Sequence, residues 1–447
     1  MSKEQNPWLT ASPRWQRKPR KASDMEPTTI IFILVYLLTV FLAASKVVPM
    51  SVAALIGALL TGWFGLQYGV FTYEQAGAFI DMKLIFLLVG TMIVVEVAER
   101  SGLFRFGALH AIKLSKGSPV RLFVFLSIIS AAVSMFLSDS TAMLLMAAAT
   151  VTITKLLRYD PVPYFLSSII MINLGGTSTL IGSTSNMVIG VQAGMSFNEF
   201  VNYLVVGEVA LWGLTILVLY IIFKSRLGEK RTLPEYNPWE SIENKKFFFR
   251  SIFILTLLML MFLTLENYGV GPEAIALGCA ILALVLSGLD PTDIFRKLDW
   301  EAVFFIAAFM FVVGGLEQTG ILNDISTQIV QLAGNSSLRA TVLTLWFSGL
   351  ASTIVSNAAV ALTFTPMLTR FSGLNDAAIK SGLVFGTNLG GATTPLSGSV
   401  AIVALGTMKR EGISMSFKDF TKIGLTTSVL QLVFASFYLT VRFGLGG

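Results

Sequence analysis

The chain has 447 residues, of which 13% are charged and 54% are apolar, and its mean hydropathy is +0.74. Soluble proteins carry about 25% charged residues, so this composition argues against a water-soluble enzyme and indicates a chain that lies mostly in lipid. The single cysteine, Cys279, excludes internal disulfides, and the single histidine, His110, excludes multi-histidine metal sites. The net charge of +6 is typical of basic membrane loops, and no nucleic-acid partner is expected.

Residues 1–27 form a polar, basic tail without the apolar core and cleavage site of a signal peptide, so a retained tail is expected. Apolar segments that are predicted to enter the membrane follow at 28–45, 51–66, 83–98, 119–137, 141–157, 164–191, 203–223, 251–266, 272–288, 301–316, 339–355, 358–370, 378–406 and 422–441. The charged segment 224–250 separates them into two groups. We therefore predict a first half at 28–223, a linker at 224–250 and a second half at 251–447.

The two halves repeat one another in sequence. Asp81, Phe86, Glu99 and Gly102 reappear 218 residues later as Asp299, Phe304, Glu317 and Gly320, and the same offset relates Ser138-Asp139 to Ser356-Asn357. An Asn-Leu-Gly-Gly sequence begins at Asn173 and again at Asn388. Several motifs in a fixed order indicate an internal duplication.

The number of crossings in each half predicts how the halves are related. Each half has three spans, a pair around the Ser-Asp or Ser-Asn element, a long span and a last span. The pair returns the chain to the same side of the membrane, so each half crosses an odd number of times and the halves are inverted. Inverted repeats with interrupted helices are typical of secondary transporters. The predicted fold is an all-α polytopic membrane protein with two inverted repeats, each with a re-entrant hairpin and a broken helix, and about ten transmembrane helices.

The distribution of Lys and Arg favours an N-terminus on the outer side. In that orientation 21 of these residues fall on inner segments and 11 on outer segments, six of the latter in the tail. The side of the tail itself stays open. A multi-pass protein of a bacterial or archaeal inner membrane is expected.

Two short polar elements, Ser138-Asp139-Ser140 and Ser356-Asn357, each lie between two apolar arms. Polar backbone at membrane depth is tolerated where it lines a protein- or water-filled cavity. The second arm of each pair begins near a good N-cap residue, so its positive dipole end would point into that cavity. The alternative is a pair of capped turns at the membrane surface.

Asp139 has an ionisable carboxyl group, whereas the equivalent residue of the second repeat, Asn357, has a neutral amide. A carboxylate within a membrane span costs about 2.5–3.5 kcal/mol on insertion scales, and such residues commonly bind a proton or a cation. Asp139 is therefore a candidate coupling residue, with a plain helix cap as the alternative.

Glycine and small polar residues interrupt the two long spans, from Asn173 to Asn186 and from Asn388 to Ser399. Glycine lets the chain unwind, Pro395 breaks the second helix, and freed carbonyls and hydroxyls can coordinate a cation. Close packing of helices through small residues is the alternative.

Glu96 and Glu99, at a span end, are expected at the membrane interface, with gating as the alternative role. Glu208, near the start of another span, is a lesser candidate for coupling.

These motifs resemble the ion transporter superfamily with a citrate-transporter-like domain, which includes arsenite efflux permeases, pigmentation-associated P proteins and divalent anion/sodium symporters. The resemblance covers the chain from about residue 28, and the arsenite and P-protein branch is the nearer one. It implies a scaffold domain, a transport domain with elevator-like alternating access, and a homodimer; a separate ATPase subunit stays open.

Carried over by position, the resemblance implies a substrate site and coupling sites. The substrate-binding residues would be Ser138, Asp139, Ser140, Thr177, Ser178, Thr179, Ser356, Asn357, Thr393 and Thr394. The coupling ion or proton would be held by Asp139, Asn173, Asn186 and Asn388. No cofactor is expected, the coupling ion is H⁺ or Na⁺, and the sequence assigns no metal site.

The leading functional hypothesis is a proton-coupled efflux permease for arsenite or antimonite. Asp139 supplies a titratable group, and the expected cavity contains no Lys or Arg to pair with a carboxylate substrate. The alternatives are a sodium-coupled symporter of a di- or tricarboxylate or another oxyanion, and a sodium/proton antiporter. An ion channel or a receptor is disfavoured by the inverted repeat and by the lack of a sensor domain. In each transport case the substrate is a small ion or oxyacid, and the lipid bilayer surrounds the chain.

Overall fold

The computed structural model describes residues 26–45, 47–233, 235–371, 373–394 and 399–445. Most of the predicted tail, residues 1–25, and Pro395 lie outside the described residues. The α-helices of the first half are α1 Pro27–Ser45, α2 Met50–Gln67, α3 Tyr73–Gly77, α4 Met82–Arg100, α5 Leu103–Ser115, α6 Pro119–Ser134, α7 Asp139–Leu157, α8 Pro161–Gly175, α9 Thr184–Ala193 and α10 Phe197–Phe223. Those of the second half are α11 Lys245–Leu265, α12 Pro272–Ser287, α13 Pro291–Phe295, α14 Trp300–Gln318, α15 Ile321–Ala333, α16 Ser337–Ser352, α17 Asn357–Phe364, α18 Asp376–Gly390, α19 Ser399–Arg410 and α20 Phe417–Arg442.

Each helix of the first half has a counterpart in the second, in the same order. The repeated aspartates explain part of this correspondence, because both are N-caps: Asp81 accepts from the backbone N–H of Lys83 at 2.9 Å, and Asp299 from that of Ala302 at 3.0 Å. Eight helical segments in the described part of the chain are long and apolar enough to cross a membrane. The predicted all-α polytopic membrane fold is confirmed.

Three further apolar helices are shorter than a full crossing: α6, α8 and α12. The first is an arm of the first hairpin, and the second is half of a broken helix. The long predicted span 164–191 is divided into α8 and α9, and 378–406 is divided into α18 and α19. Both interruptions fall where glycine and small polar residues are concentrated in the sequence.

Two helices begin six residues before the predicted start. Helix α11 begins at Lys245, inside the predicted linker, because Asn244 caps it by accepting from the N–H of Phe247 at 3.1 Å. Helix α10 begins at Phe197 rather than 203, because Ser196 and Glu199 form a reciprocal capping box. Hydropathy alone misses both starts since capping residues are polar.

The helices form two bundles, and each bundle contains helices from both halves of the chain. In one bundle α4 packs on α12 and, in the mirror arrangement, α14 packs on α2, with α1 and α11 alongside. The other bundle contains the hairpins and broken helices: α6 packs on α8 and α16 on α18, while α9 packs on α17 and α19 on α7. The cavity described next lies between the two bundles.

Candidate functional site

A cavity of about 300 Å³ lies between the bundles and contains both hairpin tips. Its lining residues from the first bundle include Ala43, Thr91, Val95 and Phe305. From the second bundle it receives Ser138–Thr141, Ile181–Ser185, Asn173 and Ile354–Ala358. Segments that are more than 200 residues apart in the chain therefore meet at one site, as the repeat predicts.

Three helix N-termini converge on this cavity. They belong to α7, α17 and α9, whose N-cap residues are Ser138, Ser356 and Ser183. Ser183 Oγ accepts from the backbone N–H of Asn186 at 3.2 Å, and Ser356 Oγ from that of Ala359 at 3.4 Å. Unpaired N–H groups and the helix dipole make such ends favourable for oxygen atoms that carry negative charge.

The Asp139 side chain, at the first position of α7, faces the cavity and is half-buried. No side chain of the described residues forms an ion pair or a hydrogen bond with its carboxyl group. A carboxyl group held in an apolar surrounding without a cation is costly to ionise, so a proton or a substrate hydroxyl is a fitting partner.

Asn357 and Asn173 meet at Gly391, at the start of the second unwound segment. A Cβ atom at Gly391 would lie 2.7 Å from Asn357 Oδ1 and 3.0 Å from Asn173 Oδ1. Asn357 Oδ1 is buried and makes no hydrogen bond within the described structure. Asn173 Nδ2 donates to the Ile169 carbonyl at 3.0 Å, so its oxygen is the part available to the cavity. Two amide oxygens from opposite repeats thus lie beside one glycine.

Asn186, a predicted coupling residue, lies behind the cavity lining and bonds to the backbone of the first unwound segment. Its Nδ2 donates to the carbonyls of Gly176, Thr177 and Thr179 at 2.7, 3.2 and 2.8 Å, and its side chain is fully buried. The unwound carbonyls of this segment are therefore paired within the protein. Asn186 shapes the loop and does not itself line the cavity.

The predicted threonine and serine loops also lie outside the cavity lining. Thr177 Oγ1 donates to the Leu174 carbonyl at 2.7 Å, and Thr393 Oγ1 donates to the Gly390 carbonyl at 2.7 Å. Thr179 and Thr394 donate to the carbonyls of the hairpin residues Met135 and Thr353, both at 3.3 Å. The hydroxyls of Thr179 and Thr394 thus fasten the broken helices to the hairpin arms, whereas those of Thr177 and Thr393 bond within their own segments. Ser178 is buried. In this conformation the site is formed by the tips, Asn173 and the serines that begin α9.

Charged residues also line the cavity, and the sequence does not indicate that Lys297, Asp299 and Glu301 are among them. Glu96, Glu99, Lys297, Asp299 and Glu301 all line it. The expectation that the cavity contains no lysine or arginine is therefore wrong. Lys297 and Asp299 precede a span and look like ordinary loop charges, so nothing in the local sequence signals their position.

The charge of the cavity lining is dominated by acids. Glu96 is paired with Arg100 at 2.7 Å, and Glu99 lies within electrostatic reach of Lys297. Among the described lining residues, Asp139 included, there are five carboxyl groups and one lysine. Within the described chain no three His, Cys, Asp or Glu side chains come together as a metal cluster.

The lining also breaks the symmetry of the repeats. Glu99 and Asp299 line the cavity, whereas their repeat mates Glu317 and Asp81 do not. Glu317 is exposed and Asp81 is half-buried, both outside the cavity. Such asymmetry is what two inverted repeats show when a central site is reached from one side of the membrane.

The fold and the site together define a polytopic membrane transporter with duplicated hairpins and broken helices. Two solved structures share this fold: the Alcanivorax borkumensis YdaH transporter (TM-score 0.62, 14% identity, 94% of this chain and 98% of that chain) and Neisseria gonorrhoeae MtrF (TM-score 0.59, 13% identity, 94% and 95%). The structure of MtrF has been presented as illuminating a class of antimetabolite efflux pumps. At these identities the likeness concerns the fold alone.

The chain belongs to the citrate transporter family, which it matches over residues 36–379. A 46 kDa membrane protein of Mycobacterium leprae is 28% identical over 426 residues, covering 93% of this chain and 99% of the relative. The human P protein is 24% identical over 449 residues, covering 81% of this chain and 54% of the relative. The family resemblance seen in the motifs is confirmed, as is a multi-pass membrane location.

Proposed function

We propose that the protein is a proton-coupled secondary transporter that exports a small neutral oxyacid, with arsenous acid and its antimony analogue as the first candidates. The observation that carries this proposal is the charge of the cavity. Its described lining has five carboxyl groups and one lysine, and Asp139 at the tip has no cationic partner among these residues.

The electrostatics favour a neutral ligand over a multiply charged anion. Two like charges about 4 Å apart repel by about 4 kcal/mol at an effective dielectric constant of about 20. A di- or tricarboxylate would meet such repulsion beside a carboxylate without a cationic partner, such as Asp139. A neutral oxyacid instead donates its hydroxyl groups to Asp139 and to the amide oxygens of Asn173 and Asn357, as buried polar groups require.

The same geometry links the substrate to a proton. An ionised Asp139 accepts hydrogen bonds from a hydroxylated ligand, and a protonated Asp139 has lost much of that capacity. Proton and substrate therefore compete for one carboxylate, which is the requirement for exchange across the membrane. The position of the cavity between two bundles supports movement of the hairpin bundle against the other, in an elevator-like manner.

A second candidate substrate is a di- or tricarboxylate or another oxyanion, coupled to protons or sodium ions. The convergence of three helix N-termini and the presence of Lys297 favour it, as does membership of the citrate transporter family. Here Asp139 would have to be protonated for the anion to bind. The two candidates therefore predict opposite effects of pH on binding.

The test is transport in proteoliposomes with proton and sodium gradients imposed separately. Radiolabelled arsenite and succinate are compared in the wild type and in Asp139→Asn. Arsenite flux that follows the proton gradient and is insensitive to sodium supports the proposal. Succinate flux with no arsenite flux overturns it in favour of the second candidate, and sodium flux without either substrate overturns it in favour of a sodium/proton antiporter.

A further inference from the structure

Glu208 is a second acidic residue inside the membrane fold, away from the cavity. It lies on α10, its side chain is 1% exposed, and it does not line the cavity. Oε1 accepts a hydrogen bond from Trp212 Nε1 at 3.0 Å, one turn further along the helix. Oε2 is buried without a regular hydrogen bond among the described residues. An ionised carboxylate would have one oxygen unsatisfied there, which is costly in an apolar surrounding.

The carboxyl group of Glu208 is directed at the first broken helix. The hydroxyl and the backbone N–H of Ser178 lie close enough to act on it, although neither completes a regular hydrogen bond to Oε2. Ser178 belongs to the unwound segment between α8 and α9. That segment runs on to Ser183 and Ser185, which line the cavity. Glu208 thus contacts the segment that forms part of the site.

The equivalent contact in the second repeat is made without a carboxyl group. The counterpart of Ser178 is Thr393, and the counterpart of Glu208 is Ser428. Thr393 Oγ1 donates to Ser428 Oγ at 3.1 Å, so a neutral hydroxyl completes the same contact. Because a serine suffices in one half, the carboxyl group in the other is not required by the fold.

No charged side chain of the described residues offsets an ionised Glu208. Helix α10 packs against α6, α8, α11, α18 and α20, and no acidic or basic side chain of these helices acts on the Glu208 carboxyl within the described structure. Tyr438 of α20 lies against Gly207, the residue before Glu208, and its hydroxyl donates to the Tyr203 carbonyl at 2.7 Å. A change in the charge of Glu208 therefore alters chiefly its interactions with Ser178 and Trp212.

We propose that Glu208 is a second proton-binding residue of the transport cycle, a positioning residue that acts on the substrate site through Ser178. In its protonated form Glu208 is neutral and leaves Ser178 free. On loss of the proton to water, its carboxylate draws the Ser178 N–H and hydroxyl into hydrogen bonds and shifts the unwound segment. The inference rests on the proposed proton coupling, and it adds a site that the hairpin tips do not provide.

The first experiment needs no substrate and reads the proton directly. Tryptophan emission of the purified protein is recorded from about pH 5 to about pH 9, and the signal of Trp212→Phe is subtracted to isolate Trp212. We expect Trp212 emission to change with pH in the wild type and to become independent of pH in Glu208→Gln. The change should persist in Asp139→Asn and in Glu74→Gln, which removes an exposed acid. Emission of Trp212 that does not depend on pH in the wild type overturns the proposal.

The second experiment measures proton-driven flux in proteoliposomes. Glu208→Gln should lower it at least about tenfold and flatten its pH profile, with substrate binding retained. Ser178→Ala should weaken the pH dependence, whereas Ser428→Ala, at the position that corresponds to Glu208 in the other repeat, should leave it intact. If Glu208→Gln does not fold, Glu208→Ser copies the second repeat and takes its place.

The outcomes separate this inference from the proposed function. Wild-type flux that does not depend on the proton gradient would contradict the proposed function. The pH dependence of Trp212 emission would still show whether Glu208 binds a proton. Normal pH-dependent flux in Glu208→Gln overturns the role of Glu208 and leaves the assignment of Asp139 intact.

Discussion

Asn388 Nδ2 donates a hydrogen bond to Asn186 Oδ1 at 2.9 Å, joining two residues that are 202 positions apart. The same nitrogen donates to the Val384 carbonyl at 2.8 Å, and Asn186 in turn holds the carbonyls of the first unwound segment. The two broken helices are thus joined by a continuous set of hydrogen bonds through the interior of one bundle.

Loss of this link should destabilise the protein. Asn186→Ala removes the side-chain donor to the buried carbonyls of Gly176 and Thr177, while the Thr179 carbonyl keeps the Gly182 N–H. An unsatisfied buried group costs about 1–3 kcal/mol. We expect Asn186→Ala and Asn388→Ala to lower the unfolding temperature in a thermal scan of the purified protein. Asn173→Ala is the matched control, because its amide donates only within its own helix and its loss should impair transport with little effect on unfolding. An unchanged unfolding temperature in Asn388→Ala would contradict the structural role.

Replacement of Asp139 should separate the two candidate substrates. Asp139→Asn resembles the protonated residue, so arsenite binding should weaken at least about tenfold and lose its pH dependence. In the wild type arsenite binding should weaken as the pH falls, because protonation removes the acceptor. For an oxyanion the signs reverse: wild-type binding strengthens as the pH falls, and Asp139→Asn binds well at every pH. Equilibrium binding to the purified protein at several pH values measures both.

Lys297 offers an independent test of substrate charge. Lys297→Gln removes the one cation among the described residues that line the cavity and leaves the hairpin tips unaltered. A neutral substrate should keep its affinity within about threefold, while a dicarboxylate should lose several-fold or more. Lys83→Gln is the control, since it changes an exposed lysine of the equivalent helix start in the first repeat. A large loss of arsenite affinity in Lys297→Gln would count against the neutral-substrate proposal.

The asymmetry of the cavity predicts which residues become exposed in the opposite state. Ala302 lines the cavity, and its repeat mate Leu84 is fully buried. A cysteine at Ala302 should react with a water-soluble maleimide in the state of this structure, and a cysteine at Leu84 should react when the cycle exposes the other side. Cys279 is buried, so background labelling is low. Substrate that protects one position while exposing the other supports alternating access, and equal labelling of both in every condition argues against it.

Much of the architecture can be predicted from the sequence. The polar interruptions of long apolar spans mark the broken helices, and the recurrence of Ser138-Asp139 as Ser356-Asn357 predicts two tips at one site. These inferences succeed because hydropathy, glycine content and repeat offset are properties of neighbouring residues. Hydropathy misses the helix starts at Lys245 and Phe197, since polar capping residues carry a helix beyond its apolar core.

The functional role of single residues is harder to predict. The family resemblance implies a coupling role for Asn186, which stays a prediction, and only the structure shows that its amide pairs with the carbonyls of its own segment. Lys297 has the sequence context of a loop charge, yet it lines the cavity. In both cases the position of the side chain depends on contacts between distant parts of the chain, which a local sequence pattern does not contain.

Composition and residue order are enough to establish the membrane class, the duplication and the presence of polar elements at membrane depth, because each is a property of the chain read in one dimension. Which polar groups meet depends on the three-dimensional packing. That packing places Asn357 beside Asn173, brings five carboxyl groups of the described chain around one cavity, and sets Glu208 against Ser178. The physical reason is that burial, pairing and charge depend on contacts between helices that are up to about two hundred residues apart in sequence.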